Sequence, residues 1–145
     1  MKVIIQRCER ASLVIDNEIY SSIKHGVVAL VGFTHGDTIK DVDYIVEKLV
    51  NLRIFDDENG IMNKSVIDVS GEVLSVSQFT LYGNTKKGRR PSYKESMNPK
   101  EAMDLYDIFN EKLNEKIPTK TGVFQAKMKV NLINDGPVTL IVESR

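Results

Sequence analysis

The chain is short of cysteine, of histidine, of net charge and of long apolar runs, and each shortage removes a class of protein. Cys8 has no partner for an internal disulfide, which fits a reducing cytoplasm. His25 and His35 stand in neither an HxH nor an HExxH spacing. With one cysteine beside them they leave no ligand set for a Cys/His zinc site, and no metal or other cofactor is expected. A Ser–His–Asp triad would need one of these histidines as its base. Both have loop-forming neighbours (Lys24-His25-Gly26 and Thr34-His35-Gly36), where a histidine is ordinarily just solvated. Twenty basic residues balance twenty acidic ones, so no bulk positive charge announces a nucleic-acid binder, although local patches are left open. The longest wholly apolar stretch, 27–31, reaches Phe33 only through Gly32. A bilayer span needs roughly 20 such residues, so this reads as a core strand. The first residues turn polar after three apolar positions, whereas a secretory h-region needs about 7–15, and no signal peptide is expected.

What is present is ordinary for a soluble globular chain: 145 residues, 41% hydrophobic and 28% charged. That size and balance imply one domain over residues 1–145. The first third reads as strands at 2–6 and 11–15, a turn at Asp16-Asn17-Glu18, then strands at 19–23 and 26–33. Thr38 with Asp41 resembles a capping box, and Val42, Ile45, Val46, Leu49 and Leu52 recur at helical spacing. Asn59-Gly60 is a hairpin signal, and 72–79 reads as a strand. Asn98, Pro99 and Glu101 give three agreeing start signals for a second helix, striped by Ala102, Leu105, Tyr106, Phe109 and Leu113. Ala126, Met128, Val130 and Leu132 alternate with polar residues as on a strand, and a last strand covers 138–143. The expected class is α+β: a layered sandwich of mixed or antiparallel sheet with two amphipathic helices covering one face.

Three segments could carry chemistry. In Ser77-Gln78-Phe79-Thr80-Leu81-Tyr82-Gly83 a strand runs into a loop, where hydroxyls and main-chain donors are displayed on a rigid base. Thr80 there is either a reactive hydroxyl or simply a good strand residue. The loop 84–94 holds Lys86, Lys87, Arg89, Arg90 and Lys94 and no acid, which suits a phosphate backbone or a solvated face. Tyr82 and Tyr93 flank it and could stack on a base. Asn134-Asp135-Gly136-Pro137-Val138-Thr139 reads as a tight turn between two strands, with a proline that removes a donor where the return strand begins.

Together these segments resemble the bacterial-type D-aminoacyl-tRNA deacylases. The likeness rests on Ile5-Gln6-Arg7, on Leu52-Arg53-Ile54-Phe55 with Met62-Asn63 and Ser65-Val66, on Ser77-Gln78-Phe79-Thr80-Leu81, on Gly88-Arg89-Arg90-Pro91-Ser92 and on Asn134-Asp135-Gly136-Pro137-Val138-Thr139. It runs in register from residue 1 to about 143. One departure stands out: the family commonly has Gly before the Ala of its penultimate strand, where this chain has Gln125.

The resemblance implies hydrolysis of the ester of D-aminoacyl-tRNA, and of glycine mischarged on tRNA(Ala), by a cytoplasmic homodimer. It implies that Ser77, Gln78, Phe79 and Thr80 form the catalytic segment and that Phe124, Gln125 and Met128 hold the terminal adenosine. Gln125 in that pocket either crowds it or adds a hydrogen bond. Lys86, Lys87, Arg89 and Arg90 are expected on the tRNA backbone. The Gly136-Pro137 bond is expected to be cis, its carbonyls offered to the partner's site to capture the α-amino group and exclude L-enantiomers. An aminoacyl ester is already activated, so a placed water and an oxyanion donor suffice. Thr80 is expected to orient that water, because nothing near it in sequence activates it as a nucleophile. Two other readings compete: a nucleic-acid-binding module using loop 84–94 without turnover, and a generic esterase using Thr80 or Ser77 with His25 or His35.

Overall fold

The computed structural model describes residues 1–145. In chain order the elements are β1 (Lys2–Ile15), β2 (Glu18–Ile23), β3 (Gly26–Gly32), α1 (Ile39–Asn51), β4 (Phe55–Asp56), β5 (Met62–Lys64), β6 (Glu72–Ser77), a 3-10 turn (Phe79–Tyr82), α2 (Pro99–Asn114), β7 (Thr119–Thr121) and β8 (Lys129–Glu143). The two helices begin where local signals place them. Asp41 accepts from the Thr38 backbone N–H at 2.8 Å, and Asn98 Oδ1 accepts from the Glu101 N–H at 3.1 Å, each satisfying a donor that a helix start leaves free. Leu52 lies one residue past α1, with extended backbone.

The sheet runs β2-β1-β3-β6-β7, with β8 pairing β1. β3, β6 and β7 are parallel neighbours joined through α1 and α2, while β1 is antiparallel to β2, β3 and β8. The α+β sandwich with helices on one face is therefore the architecture, and the other face has its own filling. Along β3, Val27, Ala29 and Val31 face the helices and pack with Val42, Ile45, Phe109 and Leu113. Val28 faces the other way, into a cluster with Cys8, Ala11, Leu13, Ile23, Leu74 and Val76. Ser21 Oγ on β2 donates to the Thr121 carbonyl on β7 at 3.0 Å, so the two ends of the sheet meet and curl it nearly into a barrel around that second cluster. Each fully buried Leu, Val or Phe contributes about 1.5–3 kcal/mol through area removed from water.

Four expectations about elements change. Residues 2–6 and 11–15 belong to one strand, because β8 pairs along both halves of β1 and the exposed Glu9 and Arg10 fall at an irregularity in the ladder. Phe79 and Thr80 lie on a 3-10 turn, outside β6. Residues 126–128 precede β8, since Gln125 takes a left-handed φ of 63° that breaks the pleat. Finally, Asp135-Gly136 is not a hairpin turn. Gln6 pairs with Thr139 and Cys8 with Asn134, so Arg7 alone faces residues 135–138, which bulge out of a continuous β8.

Candidate active site

β6 delivers its end to the 3-10 turn through a close approach to β3. The Gln78 N–H donates to the Val31 carbonyl at 2.7 Å. A Cβ at Gly32 would lie 2.9 Å from the Gln78 carbonyl oxygen and 3.1 Å from Leu81 Cβ, so only glycine lets the turn sit there. Phe79 and Thr80 open this turn, and the first N–H groups of a helical turn have no acceptor within it. Gln78 Nε2 donates to Thr80 Oγ1. The Thr80 hydroxyl therefore faces an amide donor and no base.

Beside the turn is a cavity of about 620 Å³, lined by Ser77, Gln78 and Phe79 from one stretch of chain and by Phe124, Gln125 and Met128 from another. The structure thus brings together two groups of residues singled out separately in the sequence. Thr80 is exposed at the edge of this arrangement and does not line the cavity. Met97, Pro99 and Ala102 complete one wall; as sequence Pro99 signals the start of α2 and Ala102 its apolar stripe, and nothing marks the three as lining a site. Phe124 is held from behind by Tyr106, whose ring centre lies 5.9 Å away and whose hydroxyl donates to the Ser75 carbonyl at 2.9 Å. Burial pushes the Tyr106 phenol above its ordinary range, against the hydrogen bond with the Ser75 side chain, so it stays protonated as a donor.

The loop with Lys86, Lys87, Arg89 and Arg90 is exposed, and its base is closed by two backbone hydrogen bonds between Asn84 and Ser92, of 2.8 and 2.9 Å. The flanking tyrosines have neighbours within the chain. Tyr93 meets the edge of Phe79 at 5.0 Å, and Lys2 lies over the Tyr82 ring at 5.1 Å. Ser96 Oγ donates to the Phe79 carbonyl at 3.0 Å, so the root of the basic loop is fastened to the turn that edges the cavity.

Gly136 and Pro137 lie outside the cavity, exposed on the bulge of β8, with the Gly136-Pro137 peptide cis. Two side chains hold this bulge. Arg7, itself buried, donates through Nε to the Asp135 carbonyl and through Nη1 to the Ile54 carbonyl at 2.7 Å. Asn134 Nδ2 donates to the carbonyls of Arg7 and Val138, at 2.9 and 3.0 Å. In the sequence Arg7 has no marker beyond its place in the opening motif. The histidines are elsewhere: His25 packs edge-on against Phe55, and His35 Nε2 contacts the Lys94 carbonyl. Neither contacts Ser77 or Thr80, so the esterase pairing has no geometric support. No three His, Cys, Asp or Glu side chains converge as metal ligands.

A family described as D-Tyr-tRNA(Tyr) deacylase matches residues 4–143. The chain is 56% identical over 146 residues to a D-aminoacyl-tRNA deacylase of Bacillus cereus (strain B4264), covering 100% of both. Among solved structures it is similar to a c-Myc DNA Unwinding Element Binding Protein, with TM-score 0.95, 40% identity and coverage of 100% of this chain and 99% of that one. A structure described as that of a "probable eukaryotic D-amino acid tRNA deacylase" matches with TM-score 0.83 at 18% identity over 98% of each chain, a likeness of fold alone.

Proposed function

The chain belongs to the D-Tyr-tRNA(Tyr) deacylase family, and from that premise we propose that it hydrolyses the ester joining a D-amino acid to the terminal ribose of tRNA. The observation that carries this reading is the shared cavity, where Ser77, Gln78 and Phe79 meet Phe124, Gln125 and Met128. The apolar side takes the terminal adenosine, which brings the ester carbonyl to the 3-10 turn. Water adds to the carbonyl carbon, and the N–H groups of Phe79 and Thr80 receive the negative charge that develops on its oxygen. Such donors are worth about 2.7–4 kcal/mol each. The tetrahedral intermediate then expels the ribose oxygen, assisted by the neighbouring ribose hydroxyl of the substrate, giving free amino acid and tRNA. Thr80 orients the water, in keeping with its amide neighbour, and neither a metal nor a cofactor is required.

Chiral selection is assigned to the bulge of β8. In a homodimer, the carbonyls of Gly136 and Pro137 from one subunit face the partner's site and accept hydrogen bonds from the substrate's α-ammonium. An L side chain is directed into that main chain and excluded, whereas glycine mischarged on tRNA(Ala) has no side chain to exclude. What supports this is the anchoring of the bulge by Arg7 and Asn134, which keeps its carbonyls in one arrangement. Lys86, Lys87, Arg89 and Arg90 contact the tRNA backbone, and the protein acts in the cytoplasm as one domain over residues 1–145.

The test is release of D-tyrosine from D-tyrosyl-tRNA by purified protein with chelator present, beside a mass measurement for the dimer. A second reading, a nucleic-acid-binding module without turnover, draws on the exposed basic loop and on the DNA-element-binding name of the 40% identical relative. It requires salt-sensitive binding with no amino acid released.

A further inference from the structure

Ser96 Oγ donates to the Phe79 carbonyl at 3.0 Å, and that carbonyl belongs to the same peptide unit as the Thr80 N–H. A hydrogen bond accepted at the oxygen of an amide draws electron density toward it and makes the N–H across the peptide a stronger donor. The hydroxyl reaches the 3-10 turn from outside, on a half-buried residue whose main chain is fixed on both sides. The Ser96 N–H donates to the Tyr93 carbonyl and the Met97 N–H to the Phe33 carbonyl, each at 3.0 Å. Thr34 Oγ1 donates to the carbonyl of Glu95. The neighbouring peptide is served differently: the Gln78 carbonyl, across from the Phe79 N–H, accepts from the Leu81 N–H within the turn, at 3.3 Å.

We propose that Ser96 is a positioning residue for ester hydrolysis: its hydroxyl holds and polarises the Phe79–Thr80 peptide, whose Thr80 N–H faces the developing oxyanion. The proposal deepens the functional reading above and rests on it, since it takes that N–H to meet the ester oxygen. In bound substrate the ester carbonyl is neutral and polarises the peptide little. As water adds and charge builds on the ester oxygen, the peptide is polarised further and its own carbonyl oxygen becomes more negative. The Ser96 bond then tightens. The interaction is therefore stronger in the transition state than in the ground state, so its loss falls on kcat and not on KM. Hydrogen bonds in a chain strengthen one another by roughly 10–30%, which for one oxyanion donor is about a two- to eightfold change in rate.

The experiment compares wild type, Ser96→Ala and Ser96→Thr in D-tyrosyl-tRNA hydrolysis and in the backbone amide nitrogen shifts of the substrate-free protein by NMR. Ser96→Ala is expected to lose kcat about two- to eightfold with KM unchanged. Its Thr80 nitrogen is expected to move upfield, while the Phe79 nitrogen, whose peptide Ser96 does not touch, stays in place. Ser96→Thr keeps a hydroxyl donor and is expected to restore both kcat and the Thr80 shift. An unmoved Thr80 nitrogen in Ser96→Ala overturns the proposal. So does equal movement of the Phe79 and Thr80 nitrogens, because the hydroxyl would then only be holding the turn in place. A loss carried by KM overturns it as well, as does a kcat that stays low in Ser96→Thr with the Thr80 shift restored. The shifts are read without substrate, so the two readings fail separately. A selective Thr80 shift in a protein that releases no D-tyrosine supports the polarised peptide and removes the deacylase reading.

Discussion

Arg7 Nε lies 3.1 Å from Asp135 Oδ2, and Arg7 is the one residue of β1 that faces the four-residue bulge of β8. A buried guanidinium thus fills the gap that the bulge leaves in the ladder. Its Nη1 also satisfies the Ile54 carbonyl, tying the segment after α1 to the same point. Arg7→Ala leaves that buried carbonyl without a donor, at about 1–3 kcal/mol. The pair with Asp135 adds less, because the carboxylate side is half exposed. Chemical denaturation is expected to show a loss of about 2–3 kcal/mol with an unchanged slope, and a loss below about 0.5 kcal/mol would remove Arg7 as the anchor.

Gly136 has a φ of 116°, and a Cβ there would lie 2.8 Å from Val138 Cγ2 and 3.0 Å from both Arg7 Nη2 and the Val138 nitrogen. The last is backbone and cannot swing aside. Gly136→Ala is therefore expected to displace the carbonyls of the bulge and to lower the ratio of D- to L-tyrosyl-tRNA hydrolysis at least tenfold. An unaltered ratio would detach the bulge from chiral selection.

Thr80 Oγ1 accepts from Gln78 and has no basic group to take its proton. Thr80→Ala is expected to reduce kcat/KM less than about tenfold. A thousandfold loss, roughly 4 kcal/mol of barrier, would make this hydroxyl the nucleophile.

Cys8 is buried between the sheet layers, and burial pushes its thiol up to about 11, against a hydrogen bond from the Gly26 backbone that lowers it. The fold disfavours the thiolate, so this contribution to stability is intact below the ordinary thiol value, near 8.5, and is lost as the pH rises toward 11. Iodoacetamide at pH 8 is expected to label the native protein far more slowly than the unfolded chain. Equal rates would show the thiol to be accessible and ionised.

Both helices were legible because their signals are local: a cap, a first-turn acid and an apolar stripe within about four turns. The segment 77–80 and the bulge were legible as motifs, but their geometry was not. Asp135-Gly136 has the residues of a hairpin turn, and only the pairing of Asn134 with Cys8 and of Thr139 with Gln6 shows that the strand continues past it. That pairing joins residues more than a hundred positions apart, where local propensity has no say. The same distance hides Arg7, which falls between the expected strands 2–6 and 11–15 and reads as one more polar residue until Asp135 is placed beside it. The curl of the sheet, sealed by Ser21 on Thr121, is equally non-local, and with it the second apolar cluster.

The most direct measurement is hydrolysis of D- and L-tyrosyl-tRNA under matched conditions by the purified protein with chelator present. Rapid release of D-tyrosine with the L-ester left intact is the expected result. Equal hydrolysis of both esters, or binding of both with release of neither, contradicts the account.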